Sequence, residues 1–295
     1  MTVVSPAKIN LVLRILDRRP DGYHNLWSLM QTVALHDRLT LTLDPTTDAI
    51  QLTCTNPDVP LGDANLIHRA VVAVRERAGL ATGVRIHLDK HIPMGAGLGG
   101  GSSNAAATAL GLVRLLGLSW SADQLTDATQ QLGSDVPFFY RAPTAVVEGR
   151  GERVRAVSLA ETRWILLVNP GFGVETAWAY KQLAASRTRP PSLPTECAAM
   201  AGQARMDWSQ LTACMANDFE AIVFPQHELL RGIKTQLHAA GAESAWLSGT
   251  GATVFGIFRE RATADAAQQR FASDARWRTW VVQTETAGLQ IVAGS

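Results

Sequence analysis

The sequence has few cysteines, little net charge and no leader-like start, and each of these features argues against one class of protein. Its three cysteines, Cys54, Cys197 and Cys214, are widely spaced and odd in number, so they predict neither a disulfide framework nor a metal-ligand pattern. A formal net charge of +1 gives no electrostatic reason to expect nucleic acid or a membrane as a partner. Residues 1–6 lack a basic region followed by an apolar run, so we expect no signal peptide and a cytoplasmic protein.

Apolar residues are abundant by contrast, at 46% of the 295 residues, which is ample for a buried core. The length favours two domains over one. In the second half, strand-like segments alternate with helical ones, which predicts a two-layer α+β arrangement. We place the domain boundary after a strand at residues 144–148 and the turn that follows it. Residues 1–157 then form one domain and residues 158–295 the other.

The most informative stretch is a glycine-rich loop at residues 93–103 that leads directly into a helix. A strand with Val84, Ile86 and Leu88 on one face precedes it, and an alanine- and leucine-rich segment at residues 105–116 follows it. Successive glycines remove the side chains that would keep an anion from the backbone, and free N–H groups at a helix start attract that anion. We therefore predict a polyphosphate site formed by Pro93, Met94, Gly95, Ala96, Gly97, Leu98, Gly99, Gly100, Gly101, Ser102 and Ser103.

Other interpretations of this loop fit the sequence less well. The P-loop pattern needs a lysine after its last glycine, and this loop has none. Gly95-x-Gly97-x-x-Gly100 matches the dinucleotide fingerprint, but the acidic residue that should end the next strand has no counterpart, since residues 119–123 indicate a helix start. Residues 92–113 are uncharged and long enough to span a membrane, yet a proline, the glycines and two serines argue against a spanning helix. A purely structural turn would not explain so many glycines at a helix start.

Two helices of the first half have clear start signals. The first is predicted at residues 66–77, with Asp63 or Asn65 as its cap. The second is predicted at residues 122–132 and opens with a capping box at Ser121. Both would pack an apolar stripe on the sheet of the first domain.

Three polar side chains are candidates for chemistry. Lys8 and Asn10 share one face of a strand predicted at residues 8–15, where apolar and other side chains alternate. From position alone we expect a half-buried strand whose polar face is open to solvent. Asp135 lies in a tight turn between a helix end and an apolar run. It is either a turn or capping aspartate, or a carboxylate held on a rigid corner near the phosphate loop.

Two further segments each have a structural and a functional interpretation. Tyr23 and His24 follow a turn at residues 20–22 and form either a packing pair or a surface that stacks on a flat base. A second glycine turn at residues 248–251 is either a plain hairpin or a loop that approaches the phosphate loop from the other domain.

Together these segments resemble the GHMP kinases, whose phosphate loop reads Pro-x-x-x-Gly-Leu-Gly followed by serines, glycines or alanines, as residues 93–103 do. One branch of that family fits better than the rest, namely the branch that phosphorylates cytidine diphosphate methylerythritol. The matching segments keep their order from residue 5 to about residue 255 and so cover most of the chain. They lie at residues 5–11, 21–24, 132–139, 148–152, 217–220 and 247–252.

The resemblance implies a two-domain α+β fold, with a ribosomal-protein-S5-like N-terminal domain, a ferredoxin-like C-terminal domain and the active site between them. It implies ATP as co-substrate, with its phosphates on residues 93–103 and its adenine near Asn65. Mg²⁺ is expected with ATP, because few cationic side chains meet the charge of the triphosphate. Which side chains bind the metal stays open.

The resemblance also assigns the acceptor side of the site. Asp135 would accept the hydroxyl proton as the new P–O bond forms, since a carboxylate is too weak a base to deprotonate an alcohol beforehand. Lys8 would keep Asp135 charged and offset negative charge on the acceptor oxygen. The cytosine would lie against an aromatic and a histidine. The residues implied to bind the substrate are Asn10, Tyr23, His24 and Thr176.

The implied function is transfer of the γ-phosphoryl group of ATP to the 2-hydroxyl of the cytidine-linked substrate, a step of the non-mevalonate route to isoprenoid precursors. A monomer or weak homodimer that acts on this small molecule is expected. One alternative is another small-alcohol kinase of the family, of the homoserine or mevalonate type. A non-catalytic nucleotide-binding protein is the other, and it would lack Lys8 or Asp135. An NAD-dependent oxidoreductase is disfavoured by the missing acidic residue.

Overall fold

Two main β-sheets covered by helices make up the chain, which confirms the predicted α+β class. The structure, a computed structural model, describes residues 1–189, 191–272 and 276–292. Its strands are β1 (Thr2–Arg18), β2 (His24–Asp44), β3 (Ile50–Cys54), β4 (Gly83–Asp89), β5 (Thr144–Gly149), β6 (Arg153–Ala156), β7 (Ser158–Leu159), β8 (Trp164–Asn169), β9 (Arg205–Met206), β10 (Ala216–Asn217), β11 (Ser244–Leu247), β12 (Val254–Phe258), β13 (Arg278–Gln283) and β14 (Gln290–Val292). Its α-helices are α1 (Leu66–Ala78), α2 (Gly100–Leu115), α3 (Ala122–Thr129), α4 (Val136–Phe139), α5 (Thr176–Ser186), α6 (Thr195–Met200), α7 (Trp208–Cys214), α8 (Glu220–Gln226), α9 (Glu228–Ala239) and α10 (Arg261–Gln269).

The first sheet is organised on β1 and β2, which pair antiparallel along nearly their whole length. The first half of β2 also pairs with β5, and its second half pairs with β4, so β2 carries two branches of one sheet. β3 extends one branch and β6 the other. The sequence predicted strands at residues 8–15 and 38–43. The structure extends both strands, because β1 and β2 pair with each other well beyond those ranges.

β1 is buried on both faces, which corrects the expectation of a half-buried strand. Ile9 and Leu11 are fully buried in the apolar core, while Lys8 and Asn10 on the other face are 3% and 1% exposed. The glycine-rich loop covers that face, since the backbone N–H of Lys8 donates to the carbonyl of Leu98 at 2.9 Å. A lysine is buried in this way only when it has hydrogen-bond or ion-pair partners. One face of β1 therefore packs in the apolar core, and the other faces the glycine-rich loop rather than solvent.

The strand, loop and helix predicted around the glycine-rich stretch are confirmed as β4, the loop at residues 90–99 and α2. Asn65 caps the start of α1, where its side chain accepts a hydrogen bond from the N–H of Ile67, and Gly79 caps its end in the left-handed conformation. The predicted capping box opens α3 at Ser121. α3 ends at Thr129, and a 3₁₀ turn follows it at Gln130–Leu132. The helix predicted to residue 132 is therefore α-helical over a shorter range.

The second sheet has the strand order β11-β12-β8-β13, with antiparallel neighbours, and α9 and α10 pack against it. This arrangement matches the two-layer α+β arrangement predicted for the second half. α6 and α7 had no counterpart in the sequence predictions, because they are too short to show a clear helical period. In the part of the chain that is described, no helix is both long and apolar enough to cross a bilayer.

Two short strands from the second half of the chain join the first sheet. β10 runs parallel to β1, with Ala216 opposite Val12. β14 runs antiparallel to the start of β1, with Ile291 opposite Val3. The first sheet is therefore built from both halves of the chain, and β1 lies where the two halves meet.

Candidate functional site

The glycine-rich loop forms one wall of a cavity of about 530 Å³ at the start of α2. Gly95, Gly97 and Gly99 have φ values of 62°, 78° and 68°, a region in which L side chains are strained. The alternate left-handed residues fold the loop back over the helix start, and the first three residues of α2 line the cavity. N–H groups at a helix start lack intrahelical partners, so this wall offers an anion site of the predicted kind.

Asn65 lines the same cavity, together with Val59, Pro60 and Leu66. Its side-chain amide is already engaged, because Oδ1 accepts from the N–H of Ile67 at 2.8 Å and Nδ2 donates to the carbonyl of Pro60 at 2.6 Å. This cap fixes the start of α1 beside the phosphate loop and leaves a largely apolar wall next to it. The proximity of Asn65 to an adenine stays a prediction.

A buried carboxylate that the sequence analysis missed holds both ends of the phosphate loop. Asp37 on β2 is fully buried, and its Oδ1 accepts from the N–H groups of His91 and Ile92 at 2.7 and 2.8 Å. Its Oδ2 accepts from Asn104 Nδ2 at 2.9 Å and pairs with the amine of Lys90. A carboxylate is stable away from water when its oxygens are satisfied in this way. The signal in the sequence was an acidic residue in phase with the apolar face of β2.

Lys8, Asn10 and Asp135 come together in a second cavity, of about 300 Å³, beside the phosphate loop. Lys8 Nζ donates to Asn10 Oδ1 at 2.7 Å and forms an ion pair with Asp135 Oδ2 at 3.3 Å. Asn10 Nδ2 donates to the hydroxyl of Ser28 at 2.9 Å, which fixes the orientation of the amide. Gly99 makes room for the lysine, since a Cβ there would lie 2.8 Å from Lys8 Cγ. Lys8 thus contacts both of the other predicted acceptor-site residues.

Asp135 immediately precedes α4, where an aspartate commonly caps the helix. Within the described residues, however, its side chain accepts no capping hydrogen bond. The carboxylate lines the cavity and meets Lys8. This placement favours the second interpretation given above, a carboxylate held on a rigid corner near the phosphate loop. Its role in the reaction stays a prediction.

The second glycine turn both joins β11 to β12 and touches the phosphate loop. Ser248 Oγ donates to the carbonyl of Gly97 at 2.9 Å, and the N–H of Thr253 donates to the carbonyl of Ala96 at 3.2 Å. Asn217 holds the turn from behind, because its Nδ2 donates to the carbonyls of Leu247 and Gly249 at 2.8 and 2.7 Å. The turn is therefore a hairpin connection that also contacts the phosphate loop.

Tyr23 and His24 line a third and larger cavity, of about 830 Å³. Tyr180 on α5 faces them there, with its ring centroid 5.4 Å from that of His24. The sequence analysis missed Tyr180, although it lies one helical turn after Thr176. Burial and the charge of Asp135 raise the pKa of Tyr180, so the ring keeps its proton and presents a neutral aromatic face.

The charged side chains that line this cavity are basic. Arg18, Arg150 and Lys181 line it, and no acidic side chain does so among the residues described around it. Burial lowers the pKa of His24 below its usual 6.5, and the charges of Arg18 and Arg187 lower it further. His24 is therefore neutral at neutral pH and able to accept as well as donate a hydrogen bond.

Thr176, at the start of α5, lines all three cavities. Its Oγ1 lies 3.2 Å from Thr250 Oγ1 on the second glycine turn. The phosphate loop, the Lys8–Asp135 pair and the aromatic cavity therefore open onto one point. This arrangement fits a reaction between two ligands, one with phosphate groups in the loop cavity and one with a flat ring in the aromatic cavity.

Residues 1–189, 191–272 and 276–292 contain no group of three or more His, Cys, Asp or Glu side chains that could hold a metal ion. The three cysteines are unpaired.

Comparison with known proteins gives matches along nearly the whole chain. The family model described as GHMP kinases N terminal domain matches residues 65–142, and the model described as GHMP kinases C terminal matches residues 199–275. A 4-diphosphocytidyl-2-C-methyl-D-erythritol kinase of Geobacter metallireducens is 39% identical over 94% of this chain and 96% of that protein. A protein of the same name from Syntrophotalea carbinolica is 40% identical over 95% of this chain and 97% of that protein.

Solved structures give the same picture. The crystal structure of a 4-(cytidine 5'-diphospho)-2C-methyl-D-erythritol kinase superposes with a TM-score of 0.76 at 31% identity, and covers 97% of this chain and all of that one. A homoserine kinase of Cytophaga hutchinsonii superposes with a TM-score of 0.75 at 18% identity, over 99% of this chain and 97% of that one. At that identity the second match shows a shared fold alone.

Proposed function

Because this chain belongs to the 4-diphosphocytidyl-2-C-methyl-D-erythritol kinases of the GHMP kinase family, we propose that it transfers the γ-phosphoryl group of ATP to the 2-hydroxyl of 4-diphosphocytidyl-2-C-methyl-D-erythritol. The observation that carries the proposal is the meeting of three cavities at Thr176. One is built for phosphates, one holds a lysine–aspartate pair and one is lined by aromatic rings. The reaction requires a site for the ATP phosphates, a site for the acceptor hydroxyl beside it, and a site for the cytosine beyond that.

ATP would place its phosphates on residues 93–103, where the left-handed glycines and the start of α2 expose backbone N–H groups. Its adenine would lie against the apolar wall beside Asn65. Asp37 keeps the loop in this shape without touching the nucleotide, because its oxygens are fully engaged by the loop entrance and by α2.

The acceptor hydroxyl would lie between Asp135 and the γ-phosphorus. As the oxygen–phosphorus bond forms, the bond from the γ-phosphorus to the bridging oxygen breaks and ADP leaves. Asp135 takes the hydroxyl proton during this step, when the oxygen has become acidic through bonding to phosphorus. Lys8, held 3.3 Å from Asp135 and 2.7 Å from Asn10, stabilises the charge that builds on the transferred group.

The cytosine would stack in the aromatic cavity between the rings of Tyr23 and Tyr180 and meet the edge of His24. His24 is neutral here, so it offers an acceptor to the exocyclic amino group of a cytosine. A homoserine or mevalonate acceptor would leave this cavity unused.

We propose Mg²⁺ as the counter-ion of ATP, held chiefly by phosphate oxygens. The side chains described at the site provide no metal cage of their own, but Ser102 lines both the phosphate cavity and the cavity that holds Asp135. The ion supplies charge neutralisation of the triphosphate.

We further propose that residues 1–157 and 158–295 act as two lobes around this site, and that the protein works in the cytoplasm as a monomer or weak homodimer. The proposed active residues all come from one chain, so the site needs no second copy. Three unpaired thiols suit a reducing compartment.

The proposal is tested by ADP release with Mg-ATP and a panel of acceptors. The panel contains 4-diphosphocytidyl-2-C-methyl-D-erythritol, homoserine, mevalonate and phosphomevalonate. We expect turnover with the cytidine compound alone. Turnover with one of the other alcohols would keep the kinase chemistry and overturn the substrate assignment, and no turnover with any of them would overturn both.

A further inference from the structure

Arg150 is a cationic side chain in the aromatic cavity that the proposed mechanism does not use. It lies in the turn between β5 and β6, within the segment 148–152 singled out in the sequence. Its guanidinium carbon is 5.4 Å from the ring centroid of Tyr23, over one face of the ring. Tyr23 is 54% exposed, so its ring needs a partner to be held in one orientation before a base arrives.

The turn that carries Arg150 is firmly anchored. The Glu152 carboxylate accepts a hydrogen bond from the N–H of Arg150 at 2.7 Å. Gly151 packs directly on the residue before Asp135, since a Cβ on it would lie 2.3 Å from the carbonyl oxygen of Ser134. Arg150 is therefore attached to the same rigid corner that carries the carboxylate of the acceptor site.

The charge of Arg150 is not neutralised by a direct partner. Among the residues the structure describes, no carboxylate forms an ion pair with its guanidinium, and the nearby Asp21 and Glu152 carboxylates are paired with Arg19 at 3.1 and 3.8 Å. Lys181 lines the same cavity and likewise has no carboxylate partner within the described chain. A cavity with unpaired cations around neutral rings suits a ligand that carries both a flat ring and negative charge.

We propose that Arg150 is a specificity-determining residue for the nucleotide half of the acceptor. Its guanidinium holds the Tyr23 ring for stacking, and its positive charge favours a cytidine that carries a diphosphate over a neutral cytidine. The proposal rests on the proposed function, because it assigns the chemistry that recognises the same substrate. Arg150 would select the diphosphate form of the nucleotide, a role that the Lys8–Asp135 pair does not fulfil.

The test compares binding of cytidine and cytidine diphosphate by calorimetry. Arg150→Gln should weaken cytidine diphosphate about tenfold, in keeping with the loss of one charge-assisted hydrogen bond. It should weaken cytidine about threefold, in keeping with the loss of a cation–π contact at an exposed site. Arg150→Lys keeps the charge and should retain most of the preference for the diphosphate. Arg153→Gln is the matched control, since Arg153 is exposed on β6 and lines none of the three cavities described above.

Two results would overturn the inference: Arg150→Gln binding cytidine diphosphate within twofold of the wild type, or losing affinity for both ligands by the same factor. In turnover, the variant should raise the KM for the cytidine substrate and leave kcat and the KM for ATP within about twofold. The calorimetric binding measurement does not depend on catalysis, so it tests the role of Arg150 separately from the proposed kinase function. A wild type that prefers the diphosphate through Arg150 but phosphorylates nothing would overturn the function and leave the inference standing.

Discussion

Replacing Gly97 by alanine tests whether the two glycine turns must touch for catalysis. Gly97 has a φ of 78°, and a Cβ on it would lie 2.0 Å from the carbonyl oxygen of Ser248. Real Cβ atoms do not approach closer than 3.0 Å, so the second turn would have to retreat by about 1 Å. A displacement of that size in a reacting geometry costs on the order of 10²-fold in rate, so we expect kcat/KM to fall by about that factor.

Gly117 supplies the matched control for this variant. Its φ of 69° is close to that of Gly97, but a Cβ there would meet no described atom within 4 Å. Gly117→Ala thus carries the backbone strain alone, about 1–2 kcal/mol of unfolding free energy, at the far end of α2. ADP release should stay within about twofold of the wild type in this control, while thermal unfolding shifts down by a few degrees. Near-normal turnover in Gly97→Ala, with the control also active, would refute the idea that the two turns must stay in contact.

Three further predictions concern the acceptor side. Asp135→Asn should lower kcat about 10³-fold and leave the KM for ATP within about twofold, because it removes proton transfer and not nucleotide binding; near-normal turnover would remove Asp135 from the mechanism. Tyr23→Ala should raise the KM for the cytidine substrate about tenfold with little change in kcat, and a loss confined to kcat would contradict base stacking. Because the pKa of His24 is lowered, the unfolded chain takes up this proton first as the pH falls below 6.5, so the stability that neutral His24 contributes is lost on acidification. His24→Gln should therefore show a smaller drop in Tm between about pH 7 and pH 5, and an unchanged drop would contradict the shift.

The parts of the fold and site that the sequence predicted are those whose cause is local. Asn65 caps α1 through a bond to a residue two positions on, and Ser121 closes a box with its third neighbour. Gly95, Gly97 and Gly99, which adopt left-handed conformations, lie at alternate positions of one short segment and shape the phosphate loop. Each of these needs no knowledge of the rest of the chain, so pattern and physical chemistry were sufficient.

The parts that the sequence did not predict depend on partners far away along the chain. The hydrogen-bond partners of Asp37 lie more than fifty positions later, so its position in phase with the apolar face of β2 did not reveal what satisfies the carboxylate. Lys8 looked solvent-facing because the loop that buries it is ninety residues away. Tyr180 lies on a helix with a weak apolar pattern, and its contact with His24 joins residues more than 150 positions apart in the sequence. Long-range contacts of this kind leave no periodic pattern in the local sequence, so they could not be predicted from it.

The pairing of β14 with the start of β1 sets an order of events during synthesis. Thr2, Val3 and Val4 are synthesised well before their partners Gln290–Val292, which lie 286 to 290 residues later in the sequence. Until then, that edge of β1 presents unpaired backbone groups and apolar side chains to whatever else is in the cell. Translation of this chain therefore includes a long interval in which a vulnerable edge is open, and a chaperone that covers nascent strands would raise the yield of folded enzyme without altering its final stability.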